Sequence, residues 1–227
     1  MPAGLVHLPK TGAAVSPVLL QTVTSPFTGS QSFSTSVSCS LALDLSAYAG
    51  IPNLMLAVAL NWYSNGGGTT TFTCKYNSVD LVFGAGQDRS AGANYGSQLW
   101  VMSGPPTDGS HTLACTHNSG TNTGRNIWGM AWLWSNVGSW DSPSSAPGLA
   151  SGAAQSIAVG TNEVALNAMS AGQTMSNYSQ TQRQASTVAS TLRAIAGDAA
   201  GDASGSKAFS TTGGTYNSVA IRLRPAA

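Results

Sequence analysis

The chain has 227 residues, of which only 9 are Lys or Arg and 8 are Asp or Glu, for a formal net charge of +1. Charged residues make up 7% of it, against about 25% in an ordinary soluble domain, so it has neither the basic footprint of a nucleic-acid binder nor a polybasic patch for membrane insertion. With 42% hydrophobic residues and six Trp it carries too much apolar material to stay unfolded, yet its longest apolar run, Leu54 to Leu60 (LMLAVAL), is far too short for a bilayer-spanning helix.

Residues 1–20 (MPAGLVHLPKTGAAVSPVLL) show no period and carry Pro2, Pro9 and Pro17, which argue against a regular helix or a central strand. They read as an extended arm, apolar at Leu5, Val6, Leu8 and Val18 to Leu20. Such an arm serves either as an edge strand of its own sheet or as a tether to a neighbouring chain. It lacks the succession of basic, apolar and small residues that makes a secretory signal. Residues 21–227 read as a single domain.

Short strands follow. In Ser32 to Leu45, the residues Phe33, Thr35, Val37, Cys39, Leu41, Leu43 and Leu45 fall on one face, a period of two that predicts a half-buried strand bent or broken once. Leu54 to Trp62 is nearly all apolar, as in a central strand covered on both sides. A turn at Asn65 to Gly68 leads into the β-branched and aromatic run Thr69 to Tyr76, and Asp80 to Phe83 forms another short strand. Ser97 to Ser103 and Ser110 to His117 flank a Pro and Gly loop and read as a hairpin. Ile127 to Ser135 places Met130, Trp132 and Trp134 on one face. Ser139 to Gly152, rich in Ser, Pro and Gly, reads as a loop. Strands are expected at Ala154 to Val159, Glu163 to Ser170, Met175 to Tyr178 and Tyr216 to Leu223. Gln182 to Ala196 is the candidate helix, with Val188, Leu192 and Ile195 at i, i+4 and i+7; Asp198 to Gly214 reads as a mobile loop. The fold class that follows is all-β: an antiparallel β-sandwich, jelly-roll-like, with at most one short helix.

The order of five pieces carries a resemblance. They are YNSV (Tyr76 to Val79), QLWVMSGPPTDGSHTLACT (Gln98 to Thr116), an aromatic strand ending near Ser135, EVALNAM (Glu163 to Met169) and the terminal YNSVAIRLRPA. Together they resemble a β-sandwich module found in bacterial surface and secreted proteins and in phage structural proteins, tail fibre and decoration proteins among them. Ser78 stands where that module has a turn glycine, and Val101 where it has an aromatic residue after the Trp. The resemblance implies a jelly-roll-like, non-catalytic fold and supplies no catalytic residue.

The residues agree that chemistry is sparse. Cys39, Cys74 and Cys115 lie 35 and 41 residues apart, without the spacing of a zinc site. One disulfide at most can form, and assembly in a cytoplasm favours all three reduced and buried. His111, Cys115 and His117 share a strand face, a pattern read as half-buried polar residues and not as ligands. Eight acids form no recognisable glycosidase pair, no Ser sits in a GxSxG setting, and Asp198 with Asp202 is too small a set of oxygens for calcium. No enzyme activity, metal or cofactor is expected.

Aromatics remain. Trp and Tyr rings stack on the C–H faces of sugars while neighbouring polar groups meet the hydroxyls. Trp140 with Asp141, Tyr95, Trp62 with Tyr63, and Tyr178 are the candidate ligand residues; Trp100, Trp132 and Trp134 read as core. Surfaces of Ser, Thr, Ala and Gly desolvate more cheaply than charged ones, which suits assembly contacts. The sequence therefore reads as a non-catalytic phage virion structural protein in an external appendage, a tail fibre or spike. It would be made in the host cytoplasm and released by lysis, joined to other virion proteins through its arm, homo-oligomeric, and able to touch host-surface glycans in host attachment. A capsid decoration protein is the near alternative; an extracellular carbohydrate-binding module of a secreted bacterial protein is another.

Overall fold

The computed structural model describes residues 14–22, 27–65, 70–88, 95–102, 104, 106–188 and 192–227. In chain order its strands are β1 (Val18–Thr22), β2 (Phe27–Asp44), β3 (Met55–Ser64), β4 (Thr70–Tyr76), β5 (Val79–Asp80), β6 (Val82–Asp88), β7 (Tyr95–Val101) and β8 (Ser110–Ser135). After these come β9 (Val137–Leu149), β10 (Ala154–Ala158), β11 (Val164–Ala171), β12 (Met175–Ser176), β13 (Thr181–Val188), β14 (Leu192–Ala200), β15 (Ser206–Ser210), β16 (Thr212–Gly213) and β17 (Tyr216–Pro225). Among the described residues a single 3-10 turn, Ser46–Tyr48, interrupts them.

β8 organises the first sheet. Its first half pairs with β2 on one flank and β4 on the other, and its second half pairs with β3. The start of β2 and then β1 complete the flank away from β3. The sheet curls on itself: Leu113 and Cys115 from the first half of β8 share one core cluster with Ile127, Ala131 and Leu133 from its second half. Even-numbered residues of the second half, Trp128, Met130, Trp132 and Trp134, point the other way, into the space between the sheets. Strand β3 lies between these clusters. Leu56, Val58 and Leu60 face the concave side and Met55, Ala57 and Ala59 face the second sheet, which is why the whole run is apolar.

The second sheet has the order β13-β14-β11-β17-β9. Its inner face presents Val164, Leu166, Ala194, Ala196, Val219 and Ile221 to the tryptophans. Small Ala side chains opposite indole rings let the layers approach and fill space. Trp128 and Trp132 are fully buried. At roughly 150–250 Å² of ring and about 25 cal/mol per Å², each contributes about 4–6 kcal/mol of transfer free energy. The outer face of this sheet is covered by the β10–β15 pair, where Ile157 and Phe209 pack on Ala165, Met169 and Ala220. The result is an all-β antiparallel sandwich, as the period-two alternation implied.

Several local expectations are corrected. The Gln182 to Ala196 segment is no helix: it forms β13 and β14, with Val188 opposite Leu192 across their hairpin. Of the three residues spaced as a helical stripe, Val188 and Leu192 line the inner side of the hairpin with Ala194 and Ala196, while Ile195 faces the outer cluster. Ser139 to Gly152 is mostly strand β9, an edge strand, where Pro143 and Pro147 are tolerated because one side needs no ladder donors. Asp198 to Gly214 contains β15 and β16 and the end of β14, so it is built structure and not a loose loop. The Ser97–His117 hairpin does not form; β7 sits between β3 and β6, and the chain crosses to the other half of the sheet before β8 begins. Ser110 to Ser135 is one continuous strand.

Cys39, Cys115 and Cys74 lie at one level across β2, β8 and β4. Cys74 and Cys115 are joined in a disulfide and Cys39 is a buried free thiol, so the expectation that all three are reduced is overturned. Directly opposed residues on antiparallel strands come close enough to bond: their Cα atoms are 4.2 Å apart. Of the arm, residues 1–13 lie outside the described residues, while Val18–Thr22 pairs with the end of β8.

Candidate functional site

The six candidate residues fall in three separate places. Trp62 is buried, its ring against Phe72 and His117. Tyr63 beside it is half-buried and donates a hydrogen bond to Asn65 Oδ1 at 3.3 Å. Tyr95, directly across the ladder from Tyr63, is also buried, and its hydroxyl donates to the Thr215 carbonyl. These three mark one end of the β3–β7 pair, and two of them have no free face.

Trp140 and Asp141 lie on β9, not in a loop. Trp140 packs on the inter-sheet core and, with Met55, Met102 and Ser139, lines a small cavity of about 220 Å³. Asp141 accepts two hydrogen bonds from Arg222, at 2.7 and 3.0 Å, and also pairs with Arg224. Those hydrogen bonds to the Arg222 guanidinium hold its carboxyl below the usual range. Glu163 joins the group through Arg222 and caps the turn by accepting from the Gly160 N–H. Asp141 is thus a structural counter-ion.

Tyr178 sits on the outer face of the second sheet. Its hydroxyl donates to Asn167 Oδ1 at 3.0 Å, part of a polar network in which the Asn167 amide reaches Ser218 and Gln155. Burial, then the nearby Asp198, push its phenol well above the ordinary value. The structure does not bring the six residues together.

His111, His117, Asp198 and Asp202 behave as packed or paired groups. His111 bonds the Asp108 carbonyl and meets Tyr76 edge-on. His117 stacks on Phe72, and neither of its ring nitrogens has a hydrogen-bond partner. Asp198 pairs with Arg183 and Asp202 with Lys207. Among the described residues no three His, Cys, Asp or Glu are grouped to hold a metal ion, and no helix is long and apolar enough to cross a membrane.

Comparison of the chain with protein-family models, with curated proteins and with solved structures returns no match. Function must be read from the residues themselves.

Two features that the sequence analysis did not single out stand out. One is a cleft of about 420 Å³ on the outer face of the second sheet, where Arg193 of β14 lies opposite Thr187 of β13 and beside Thr174 and Met175. No motif marks it; the only signal available was an Arg in a chain with so few. The other is the edge of the first sheet. Strand β6 ends the strand order, and its Val82 and Phe83 are 42% and 49% exposed, with Val79 nearby in sequence at 50%. Phe83 leans edge-on against Trp100 but keeps half its surface outside.

Proposed function

We propose that this protein is a non-catalytic structural subunit of a phage virion, seated in an external appendage such as a tail fibre or spike, where copies meet through neutral, hydroxyl-bearing and apolar contacts. The observation that carries the reading is edge strand β6. Native proteins commonly guard a sheet edge with charge or a covering segment. Here Val82 and Phe83 stand exposed at the end of the sheet. An edge of this kind supports pairing with another chain.

Charge placement supports the same reading. Lys75, Arg183, Lys207, Arg222 and Arg224 each pair with a carboxylate of this chain. The cations so paired are partly neutralised within the subunit, which lowers the desolvation cost of a subunit contact. The resemblance to phage structural modules points the same way.

The test is localisation on gradient-purified phage particles, using mass spectrometry of the particles and immunogold labelling in the electron microscope. The chain is expected in intact particles, with label on the tail. Label on the head would replace this reading with a capsid decoration protein, and absence from particles would refute both.

A further inference from the structure

The outer cleft of the second sheet has three kinds of wall. Its floor includes Ile195, with Met175 on one side. Thr174 and Thr187 bring hydroxyls to it, and Arg193 brings a guanidinium. The β-ladder fixes these positions: Arg193 is paired with Thr187 on one flank and with Ala171 on the other, so its backbone cannot drift.

Arg193 differs from the paired cations. Lys75, Arg183, Lys207, Arg222 and Arg224 have carboxylate partners. Arg193 Nη1 is sealed from solvent and has no hydrogen-bond partner. A buried donor left unmade costs about 1–3 kcal/mol, and more when it is charged. Arg193 as a whole is half-buried and lines the cleft with no carboxylate among the other lining residues, so an anion that enters the cleft meets the part of the side chain that faces it.

We propose that this cleft binds an acidic sugar residue, a hexuronic acid carried on a larger glycan. Arg193 donates to the sugar carboxylate, Thr174 and Thr187 meet the ring hydroxyls, and the C–H face of the ring lies on Met175, above the buried Ile195. One guanidinium balances one carboxylate. A phosphate monoester, carrying about −1.5 to −2 at neutral pH, would find no second Lys or Arg among the described lining residues. A phosphate would also leave the apolar floor unused. The volume of about 420 Å³ falls within the range of small-molecule sites. This site deepens the host-contact side of the appendage reading but is a property of the isolated chain. Its failure leaves the virion assignment standing, and absence of the chain from particles leaves the site standing.

The experiment is calorimetric titration of the full chain with trisaccharides ending in glucuronic or galacturonic acid, with their neutral hexose counterparts, and with inorganic phosphate. The uronates are expected to bind at least tenfold more tightly than the neutral sugars or phosphate. Arg193→Gln should weaken uronate binding about ten- to a hundredfold, as loss of a charge-assisted hydrogen bond implies, while Arg193→Lys keeps part of it. Nuclear magnetic resonance of the unmutated chain guards against a variant that fails to fold: the Ile195 and Met175 methyl signals should shift with uronate. Equal binding of uronate and neutral sugar, undiminished binding by Arg193→Gln, phosphate binding as tight as uronate binding, or unmoved methyl signals would each overturn the proposal.

Discussion

Lowering the pH from 7 to 4 is expected to weaken the fold through one side chain, His117. Its ring is fully buried, stacked on Phe72 at 4.6 Å between centroids and tilted against Trp62 at 4.9 Å. Burial first, and the charge of Arg125 second, push its pKa down to about 4 from 6.5. An unfolded chain takes up the proton near pH 6.5, while the folded chain does so only near 4. Over that window the unfolded state binds more protons, so stability falls as pH falls; above 6.5 both states are neutral and the group has no effect. At about 1.4 kcal/mol per pH unit, the full window is worth about 3 kcal/mol, a large share of the 5–15 kcal/mol typical of a folded domain. The assay is urea unfolding, followed by Trp fluorescence, at half-unit steps from pH 7.5 to 4, for the natural chain and for His117→Phe. Carboxylates such as Asp141 contribute equally to both and cancel in the difference. The phenylalanine variant should show a shallower decline, with the gap between the two curves opening below pH 6.5. A gap that does not change with pH, or a native His117 that titrates near 6.5, would refute the reasoning.

Three further outcomes follow from the structure. Reducing the Cys74–Cys115 disulfide releases a 41-residue separation, so Cys74→Ala with Cys115→Ala should cost roughly 4 kcal/mol on the chain-entropy scale, read as a lower urea midpoint. Cys39 is buried, and that burial pushes its thiol up to about 12; a thiol reagent should find no reactive group in the native chain and one in the unfolded chain. Asp141→Asn removes the carboxylate shared by Arg222 and Arg224. It should cost roughly 0.2–1 kcal/mol, because the pair is partly exposed, seen as a slightly lower Tm, without abolishing uronate binding at the Arg193 cleft on the outer face.

The candidate site was the less legible part. Trp62, Tyr95 and Tyr178 look like ligand platforms in the sequence because Gly, Asn, Ser and Gln surround them. In the fold Trp62 and Tyr95 are buried, and the Tyr178 hydroxyl is bonded to Asn167, 11 residues away in the chain. Arg193 is silent in the sequence, since its significance lies in the absence of an acid opposite it, and only the pairing of β14 with β13 and β11 says what stands there.

The residues alone determined the all-β character, through the period-two runs of β2 and β17 and the doubly apolar run of β3, because a pleated strand puts alternate side chains on opposite faces whatever its partners. They could not determine which strands pair. The hairpin expected between β7 and β8 gives way to β3 and β6 on either side of β7, and an Ala, Ser and Thr segment became a hairpin because the indoles of β8 left room for small side chains on the facing sheet. Strand pairing and inter-sheet packing are contacts between residues far apart in the chain. The three cysteines meet for that reason as well, since tertiary structure brings β2, β8 and β4 side by side.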